Sequence, residues 1–543
     1  MVALITPKAW LKGRAFAGMR RYLRETADEG WIIDLSPEGH RADGATRIFP
    51  EVAQELCIAI FVRWRDSPRP RTDRQAAEVR HLKIGGRRGE KVERLMTLRL
   101  DDPEWRECAT GETDAFLPPG SDLWESGPQL RDLMPWSSRG VTPGRMWVYA
   151  PDEDTLHERW RRFVAADTDR RTEMLGPSGE RTPGDNVPPL PGVDSHGRIP
   201  LAAEHRTNTQ TVRIGFRSFD RQYVLPDSRL MERGRADLWR VRSDRQIYTV
   251  EQNAHPVANG PALVFSALIP DMHYFNNRSG CARPLHRNAA GTLPNVTPGL
   301  LPLLAGRLGI PVVAEDLLAY IAAIASHPEY TARFQEDLEV PGARIPLTAA
   351  PCLWERAVAI GRRVLWLHTY GERYADETAG RPYGRVLLPR DRPRCVTEIP
   401  DEVEAMPEKL AYDPVTQDLC VGSGRISPVP RTVREYEVSG MNVLDKWFGY
   451  RRRNPAGKRR LELDHVVATR WLPSWTTELL ELLNVLGLLI REEPAQADLL
   501  NEVCAGPLIT VTDLTTAGIL PVPTEATKAL QAKSDAGDAL FDL

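Results

Sequence analysis

The chain has 543 residues, of which 42% are hydrophobic and 27% charged, a composition typical of a globular protein long enough for two to four domains. Its formal charge of −3 excludes a protein whose net charge alone draws it to nucleic acid. Seven scattered cysteines, with no CxxC pair and no histidine at zinc spacing, argue against a disulfide framework or a metal site and predict reduced thiols in the cytoplasm. The most apolar helical stretch, residues 479–490, is shorter than the ~20 residues that a bilayer needs, so we expect no membrane span.

The basic residues are almost all arginine. Only nine of the 71 basic residues are lysine. Arginine is suited to bidentate contact with phosphates and guanine edges, which favours a DNA partner. A GC-rich genome explains the same bias equally well.

Residues 1–65 alternate between strand and helix patterns. Apolar runs at 1–5, 31–35 and 56–62 predict strands, and Phe16, Met19, Tyr22 and Leu23 have helical spacing. Runs that are apolar on both faces are typical of a largely parallel sheet covered by helices, and such a sheet needs more than three strands. We therefore expect residues 1–65 to be the C-terminal part of an α/β domain whose other strands lie upstream.

Residues 66–205 are predicted to be a basic connector and coupling segment. Residues 63–99 contain twelve Lys or Arg and five Asp or Glu, a local charge of 12 − 5 = +7. This charge indicates either a DNA-facing surface or a solvated connector. A polar helix is predicted at 154–166, and the Pro/Gly-rich stretch 176–200 is predicted to be a linker.

Residues 206–510 are predicted to form an α+β domain, followed by a polar tail at 511–543. Short strands are expected at 210–214, 222–225, 248–251 and 262–268, an amphipathic helix at 315–326, and a longer helix from Thr476 with capping hydroxyls nearby. The pattern LCVGSG at 419–424 resembles a cofactor-binding glycine loop, but Pro428 and Pro430 exclude the helix that must follow, so it predicts a turn.

Several segments, in the same order, resemble the later part of one protein family. They are ALITPKAWLKGRAFAGMRRYLRE, RIFPEVAQELCIAIFVR, VRHLKIGGRRGEKVERL, SSRGVTPGRMWVYAPDEDTLHERW, GFRSFDRQYVLPDSRL, LAYIAAIASHPEYTARFQEDLEVPGARIP and EYEVSGMNVLDKWFGYRRR. The chain is similar to the C-terminal part of large single-chain type ISP restriction-modification enzymes, which carry an adenine-specific N6 DNA methyltransferase. The resemblance implies an α/β fold: an incomplete doubly wound, Rossmann-like methyltransferase sheet followed by an α+β target recognition domain that binds double-stranded DNA.

The resemblance also implies S-adenosylmethionine as cofactor of the complete enzyme, and two motifs for it are missing from this sequence. Neither the glycine loop after a first strand nor the Asn/Asp-Pro-Pro-aromatic motif that holds the target amine is found. We therefore expect no cofactor and no catalytic residue in this chain alone, and a methyltransferase N-terminal half encoded upstream as a partner. The alternative is a stand-alone DNA-binding specificity or decoy protein of an anti-phage system.

The resemblance places three residues at an adenine pocket. Phe49 stands where the family often supplies an aromatic ring that stacks on a flipped adenine, and Pro7 and Lys12 would line the rim. An ordinary core phenylalanine is the other interpretation of Phe49.

The densest cluster of cations, around a predicted turn at 451–460, is the predicted DNA contact. The predicted DNA-binding residues are Arg451, Arg452, Arg453, Lys458, Arg459 and Arg460, with Trp447 and Tyr450 just before them. A solvated hairpin tip is the alternative. Arg217, Asp220 and Arg221 are predicted to anchor the recognition domain to the methyltransferase half through ion pairs.

Overall fold

The chain divides into two compact units, Met1–Glu125 and Ser126–Leu543. The computed structural model describes residues 1–37, 44–52, 54–64, 76–176, 181–193, 199–257, 259–276, 280–457 and 461–530. None of the helices in these ranges is both long and apolar enough to cross a bilayer. All seven cysteines are free thiols, as predicted.

The first unit is a small α/β unit. Its strands are β1 (Val2–Pro7), β2 (Glu29–Asp34), β3 (Leu56–Val62), β4 (Glu78–Lys83) and β5 (Arg106–Glu107). Its helices are α1 (Ala17–Thr26) and α2 (Arg88–Thr97), and α3 (Asp122–Ser126) follows at its end. The sheet extends past residue 65, because β4 pairs with β2.

The strand order is β1-β3-β2-β4-β5, and the sheet is mixed instead of largely parallel. Among the described strands of this sheet, only β2 and β4 pair in parallel, while β3 runs antiparallel to both β1 and β2 and β5 runs antiparallel to β4. In the described part of the connection between β2 and β3 the only helical element is the short 3₁₀ turn Gly44–Thr46. An antiparallel neighbour can be reached without the crossover helix that a parallel one requires.

Helix α1 forms as predicted, but most of its apolar face is exposed, and only Leu23 packs partly on the core. Met19 and Tyr22 are 43% and 63% exposed, whereas Arg20 and Arg24 are buried. Both arginines donate hydrogen bonds to the carbonyl oxygen of Asp114. The planar guanidinium, with five donors, satisfies backbone carbonyls that an apolar side chain would leave unpaired, so the arginine side of α1 faces the protein.

The second unit contains several small sheets and a helical core. Its strands are β6 (Ser138–Arg139), β7 (Tyr149–Ala150), β8 (Val212–Arg217), β9 (Asp220–Val224), β10 (Tyr248–Gln252), β11 (Leu263–Ser266), β12 (Gly280–Pro284), β13 (Leu347–Thr348), β14 (Arg394–Thr397), β15 (Leu410–Asp413), β16 (Asp418–Val421), β17 (Gly424–Ser427), β18 (Glu437–Val438), β19 (Met441–Asn442) and β20 (Leu508–Ile509). Its helices are α4 (Leu130–Leu133), α5 (Glu153–Ala165), α6 (Thr168–Leu175), α7 (Ala236–Arg240), α8 (Leu300–Leu308), α9 (Ala314–Ala325), α10 (Pro328–Arg333), α11 (Pro351–His368), α12 (Arg431–Arg434), α13 (Val443–Gly449), α14 (Pro473–Ala505) and α15 (Val511–Thr516).

The three larger sheets of this unit are antiparallel, in the orders β11-β10-β12-β6, β7-β9-β8 and β14-β17-β16-β15. Helices α9, α11 and α14 pack together. Gly361 of α11 lies so close to α9 that a Cβ there would stand 1.7 Å from the carbonyl oxygen of Ala319. Helix α9 is therefore buried on all sides from Leu317 to Ala325, and not only along the one face expected of an amphipathic helix.

Most predicted elements of the second unit are present. Helices at 153–165 and 314–325 and strands at 212–217, 220–224, 248–252 and 263–266 match their predicted places. Helix α14 begins three residues earlier than expected, with Pro473 in its first turn and no side-chain cap. The glycine pattern at 419–424 forms the turn between β16 and β17, as predicted, with Gly422 at φ 62°. The described parts of the Pro/Gly-rich stretch 176–200 lie inside this unit.

Candidate functional site

The β8–β9 hairpin carries the three residues predicted to form ion pairs. Arg217 Nη1 lies 2.8 Å from a carboxylate oxygen of Asp271, and Arg221 Nη2 lies 2.5 Å from one of Glu481. Burial, the largest single effect, would lower the pKa of Arg217, but the Asp271 carboxylate together with Tyr450 and Tyr149 outweighs it, and the pKa is raised. Arg217 therefore stays charged inside the protein.

Asp220, the third member, pairs with Arg451. Asp220 is 1% exposed and its carboxylate accepts a hydrogen bond of 2.9 Å from Arg451 Nη2. The ion pairs of Arg217, Asp220 and Arg221 thus join elements within the second unit. Anchoring to a methyltransferase half stays a prediction.

The predicted DNA-binding cluster divides into a buried and an exposed part. Arg451 has no exposed surface, Trp447 is 2% exposed and Tyr450 9%. The Arg451 guanidinium stacks 4.0 Å from the Trp447 ring centroid and also contacts Glu478 at 3.3 Å. Arg451 is therefore buried and links the β8–β9 hairpin to α14 through ion pairs. The sequence had predicted a cation on the surface at this position. Charge neutralisation by two carboxylates is the physical reason that it can be buried.

Arg452 and Arg453 lie nearer the surface. Arg452 is half-buried, and the Arg453 side chain is 41% exposed with Glu408 at 3.4 Å. Lys458, Arg459 and Arg460 lie outside the described residues. DNA contact by this cluster stays a prediction.

A cleft with a cavity volume of about 50 Å³ opens beside this turn. Its polar lining includes Asp152, Gln222, Arg452, Asp464 and Trp475. Nε of Arg452 and Nε1 of Trp475 are buried and have no hydrogen-bond partner within the described residues. The cleft is large enough for a few ordered waters that such donors could bind. Among the described residues no cluster of His, Cys, Asp and Glu could hold a metal ion.

The adenine-pocket residues lie in the first unit. Pro7 is exposed at the end of β1, opposite Leu56 of β3. Lys12 is half-buried, and Phe49 is 40% exposed, so Phe49 is not an ordinary core residue.

Sequence reasoning did not single out Lys8, which lies between these positions in the chain. Lys8 is 7% exposed, and its Nζ lies 3.0 Å from the carboxylate of Asp34 and 3.6 Å from that of Glu55. The ion pair joins the residues that follow β1 to the end of β2. A lysine directly after an apolar strand, and an aspartate ending the next one, was the available signal.

A second basic surface was also missed. We name residues 383–394, YGRVLLPRDRPR, the arginine loop. Its four arginines, Arg385, Arg390, Arg392 and Arg394, are all exposed. Four arginines within ten residues, interrupted by two prolines, were visible in the sequence.

The comparisons with known proteins point in one direction. No curated protein matches the chain. Among solved structures, it is similar to the DrdV–DNA complex, with 15% identity and a TM-score of 0.59, covering 92% of this chain and 50% of that one. It is similar to a nuclease-deletion mutant of the type ISP restriction-modification enzyme LlaGI in complex with a DNA substrate mimic, with 14% identity and a TM-score of 0.56, covering 92% and 38%.

A third similar structure is the ATP-dependent type ISP restriction-modification enzyme LlaBIII bound to DNA, with 16% identity and a TM-score of 0.59, covering 92% of this chain and 32% of that one. The chain thus spans half or less of the length of these three proteins. At such identities the likeness concerns the fold. The type ISP C-terminal specificity domain family matches residues 132–482, well over half of the sequence. The chain belongs to that family.

Proposed function

We propose that this chain is the DNA-recognition part of a site-specific, adenine-N6 DNA methyltransferase of a type ISP restriction-modification system, acting on double-stranded DNA in the cytoplasm. The observation that carries the proposal is the specificity-domain match over residues 132–482. The similar folds of LlaGI and LlaBIII, both type ISP enzymes in complex with DNA or a DNA mimic, support it.

The edge of the sheet in the first unit supports the proposal that a partner polypeptide completes a methyltransferase sheet. β1 is an edge strand of its sheet, and Val2, Leu4 and Ile5 are 54–59% exposed. An apolar edge strand is a template for pairing with another strand. In our proposal that strand belongs to a methyltransferase N-terminal half, which supplies the S-adenosylmethionine loop and the Pro-Pro motif.

The same proposal assigns an adenine pocket to the region of Phe49. The exposed ring of Phe49 is available to stack on an extruded base, with Pro7 and Lys12 at the rim. Without the complementary half, the chain neither binds the cofactor nor transfers methyl groups.

The DNA-binding part is tested by a gel shift of the full chain with a mixed pool of duplexes. A shift that weakens steeply as salt rises is expected, because phosphate binding releases counterions. A chain that shifts no duplex at low salt overturns the proposal.

The methyltransferase part is tested by titrating S-adenosylmethionine into the chain alone and then with a polypeptide that carries the two missing motifs. We expect no binding alone, and labelled methyl transfer to duplex DNA by the pair. Phe49→Ala should lower this transfer, while Val52→Ala, 37% exposed nearby in sequence, should not. Micromolar binding of the cofactor by the chain alone contradicts the proposal, and DNA binding without any transfer by the pair favours the decoy alternative.

A further inference from the structure

The arginine loop differs from the other arginine-rich surfaces of the second unit. Within the part of the chain that the structure describes, Arg385, Arg390, Arg392 and Arg394 make no ion pair and no side-chain hydrogen bond. The loop contains one acidic residue, Asp391, so its net charge is 4 − 1 = +3. Four exposed cations without internal partners are available to an external anion.

Two arginines of helix α11 are neutralised. Arg356 lies 2.8 Å from Glu502, and Arg363 lies 2.5 Å from Glu492. At these two positions a carboxylate accompanies the arginine, whereas the loop brings together four arginines that lack such a partner in the described part of the chain.

The loop is held in place by helix α14. Residues 385–389 alternate between exposed and buried positions, with Val386 and Leu388 buried. The backbone N–H of Leu388 donates to Oδ1 of Asn484 at 2.8 Å, and Leu388 packs on Gly487, where a Cβ would stand 2.9 Å from its Cδ1. The buried Asn484 thus fixes the loop, so ordering it on a ligand costs less conformational entropy.

The spacing of the arginines suits an extended polyanion. The five residue steps from Arg385 to Arg390 span at most about 17 Å, and the backbone bends at residues 389–391, where Asp391 has φ 51°. Along one DNA strand, phosphates follow at about 3.4 Å of helix axis, so the segment covers at most about five of them. Guanidinium groups bind phosphate oxygens in a bidentate manner. The loop contains no Asn or Gln, the side chains that read adenine edges, and arginine contacts to guanine edges would make the loss of affinity depend on the sequence of the duplex.

We propose that the arginine loop grips the phosphate backbone of duplex DNA and fixes its register without reading base sequence. This inference rests on the proposed function, which it deepens by naming a contact surface distinct from the 447–460 cluster.

The test is a fourfold variant of the full chain, R385Q/R390Q/R392Q/R394Q, measured by fluorescence anisotropy with a mixed-sequence 40-base-pair duplex between 50 and 200 mM NaCl. Four phosphate contacts contribute about 3 to 4 to the slope of log affinity against log salt. The variant should lose that much slope, and its affinity for duplexes of different sequence should fall by the same factor.

The matched control is R161Q/R162Q/R170Q/R356Q, which removes four arginines that are 40–59% exposed and already paired with glutamates. The control should keep the slope of the unmodified chain. An equal loss of slope in both variants, or an unchanged slope in the loop variant, overturns the inference while DNA binding by the unmodified chain leaves the proposed function standing. Absence of binding by the unmodified chain overturns both.

Discussion

Several arginines of this protein are buried and hydrogen-bond backbone carbonyls, while others are charges on the surface. Arg159 donates to the carbonyl oxygens of Trp147 and Tyr149 at 2.9 and 2.6 Å, and Arg171 donates to that of Leu201 at 2.8 Å. Five N–H donors in one rigid plane let a single side chain satisfy carbonyls from several segments. An arginine-rich composition therefore does not by itself locate a DNA surface.

Removing the guanidinium of Arg451 should destabilise the second unit strongly. Arg451→Ala leaves the carboxylates of Asp220 and Glu478, 1% and 14% exposed at the side chain, without their shared cation. Breaking a buried pair in this way costs about 3–5 kcal/mol of the free energy of unfolding. Urea denaturation followed by tryptophan fluorescence measures it.

Arg431→Ala is the control for that substitution. Arg431 is 72% exposed and pairs with Glu435 at 2.8 Å, so its removal should cost much less than that of Arg451, because solvent screens an exposed pair. Equal losses for the two variants would mean that the Arg451 network contributes no more than a surface pair.

At the scale of elements, helix α14 joins the parts of the second unit. Over Pro473–Ala505 it pairs with Arg451 through Glu478, holds the arginine loop through Asn484, and binds α11 through Glu492. Its polar residues make the hydrogen bonds and ion pairs to neighbouring segments, and its leucines pack in the core. The loss of one polar residue should therefore affect one neighbour at a time.

Glu493 of α14 makes stability depend on pH. Burial raises the pKa of Glu493 to about 7, whereas a glutamate in an unfolded chain titrates near about 4.3. As the pH rises from about 4.3 to 7, the unfolded state releases a proton that the folded state keeps, so stability falls across this window and is then constant.

Glu493→Gln cannot ionise and should escape this loss. We expect its free energy of unfolding to exceed that of the unmodified chain by on the order of 2–3 kcal/mol at pH 8, and to be nearly equal at pH 4, in urea titrations at both values. Glu492→Gln, which instead breaks the pair with Arg363, should bring no gain at pH 8. A constant difference between Glu493→Gln and the unmodified chain at both pH values would contradict a raised pKa.

Local sequence patterns predicted the positions of helices and strands well, but they did not predict which side chains of those elements are buried. β3 was expected at 56–62 and forms Leu56–Val62, because a bounded apolar run is a local signal. The outward face of α1 and the burial of Arg451 depend on carbonyls and carboxylates from distant segments, such as Asp114 and Asp220, which no periodicity encodes. The candidate site was therefore only partly predictable: the ion-pairing hairpin was found, and the arginine loop was not.

For the whole molecule, exposed apolar side chains are distributed unevenly. Of the 23 large hydrophobic side chains exposed among the described residues, 13 lie in the first 125 residues. An exposed apolar edge strand such as β1 is a template for pairing with another chain. In the absence of its proposed partner, the chain should therefore associate with itself through the edge strand β1.

Leu4→Lys should suppress that self-association. Leu4 is 56% exposed in the middle of β1, and a lysine on an edge strand blocks pairing with another strand. Static light scattering should show a smaller mass at a given concentration, and binding of a hydrophobic dye should fall. Val415→Lys, which changes an 89% exposed valine in the turn between β15 and β16, should alter neither reading. If both lysines reduce association equally, added charge is the cause; if only Leu4→Lys acts, the edge of β1 is the surface that a partner strand covers.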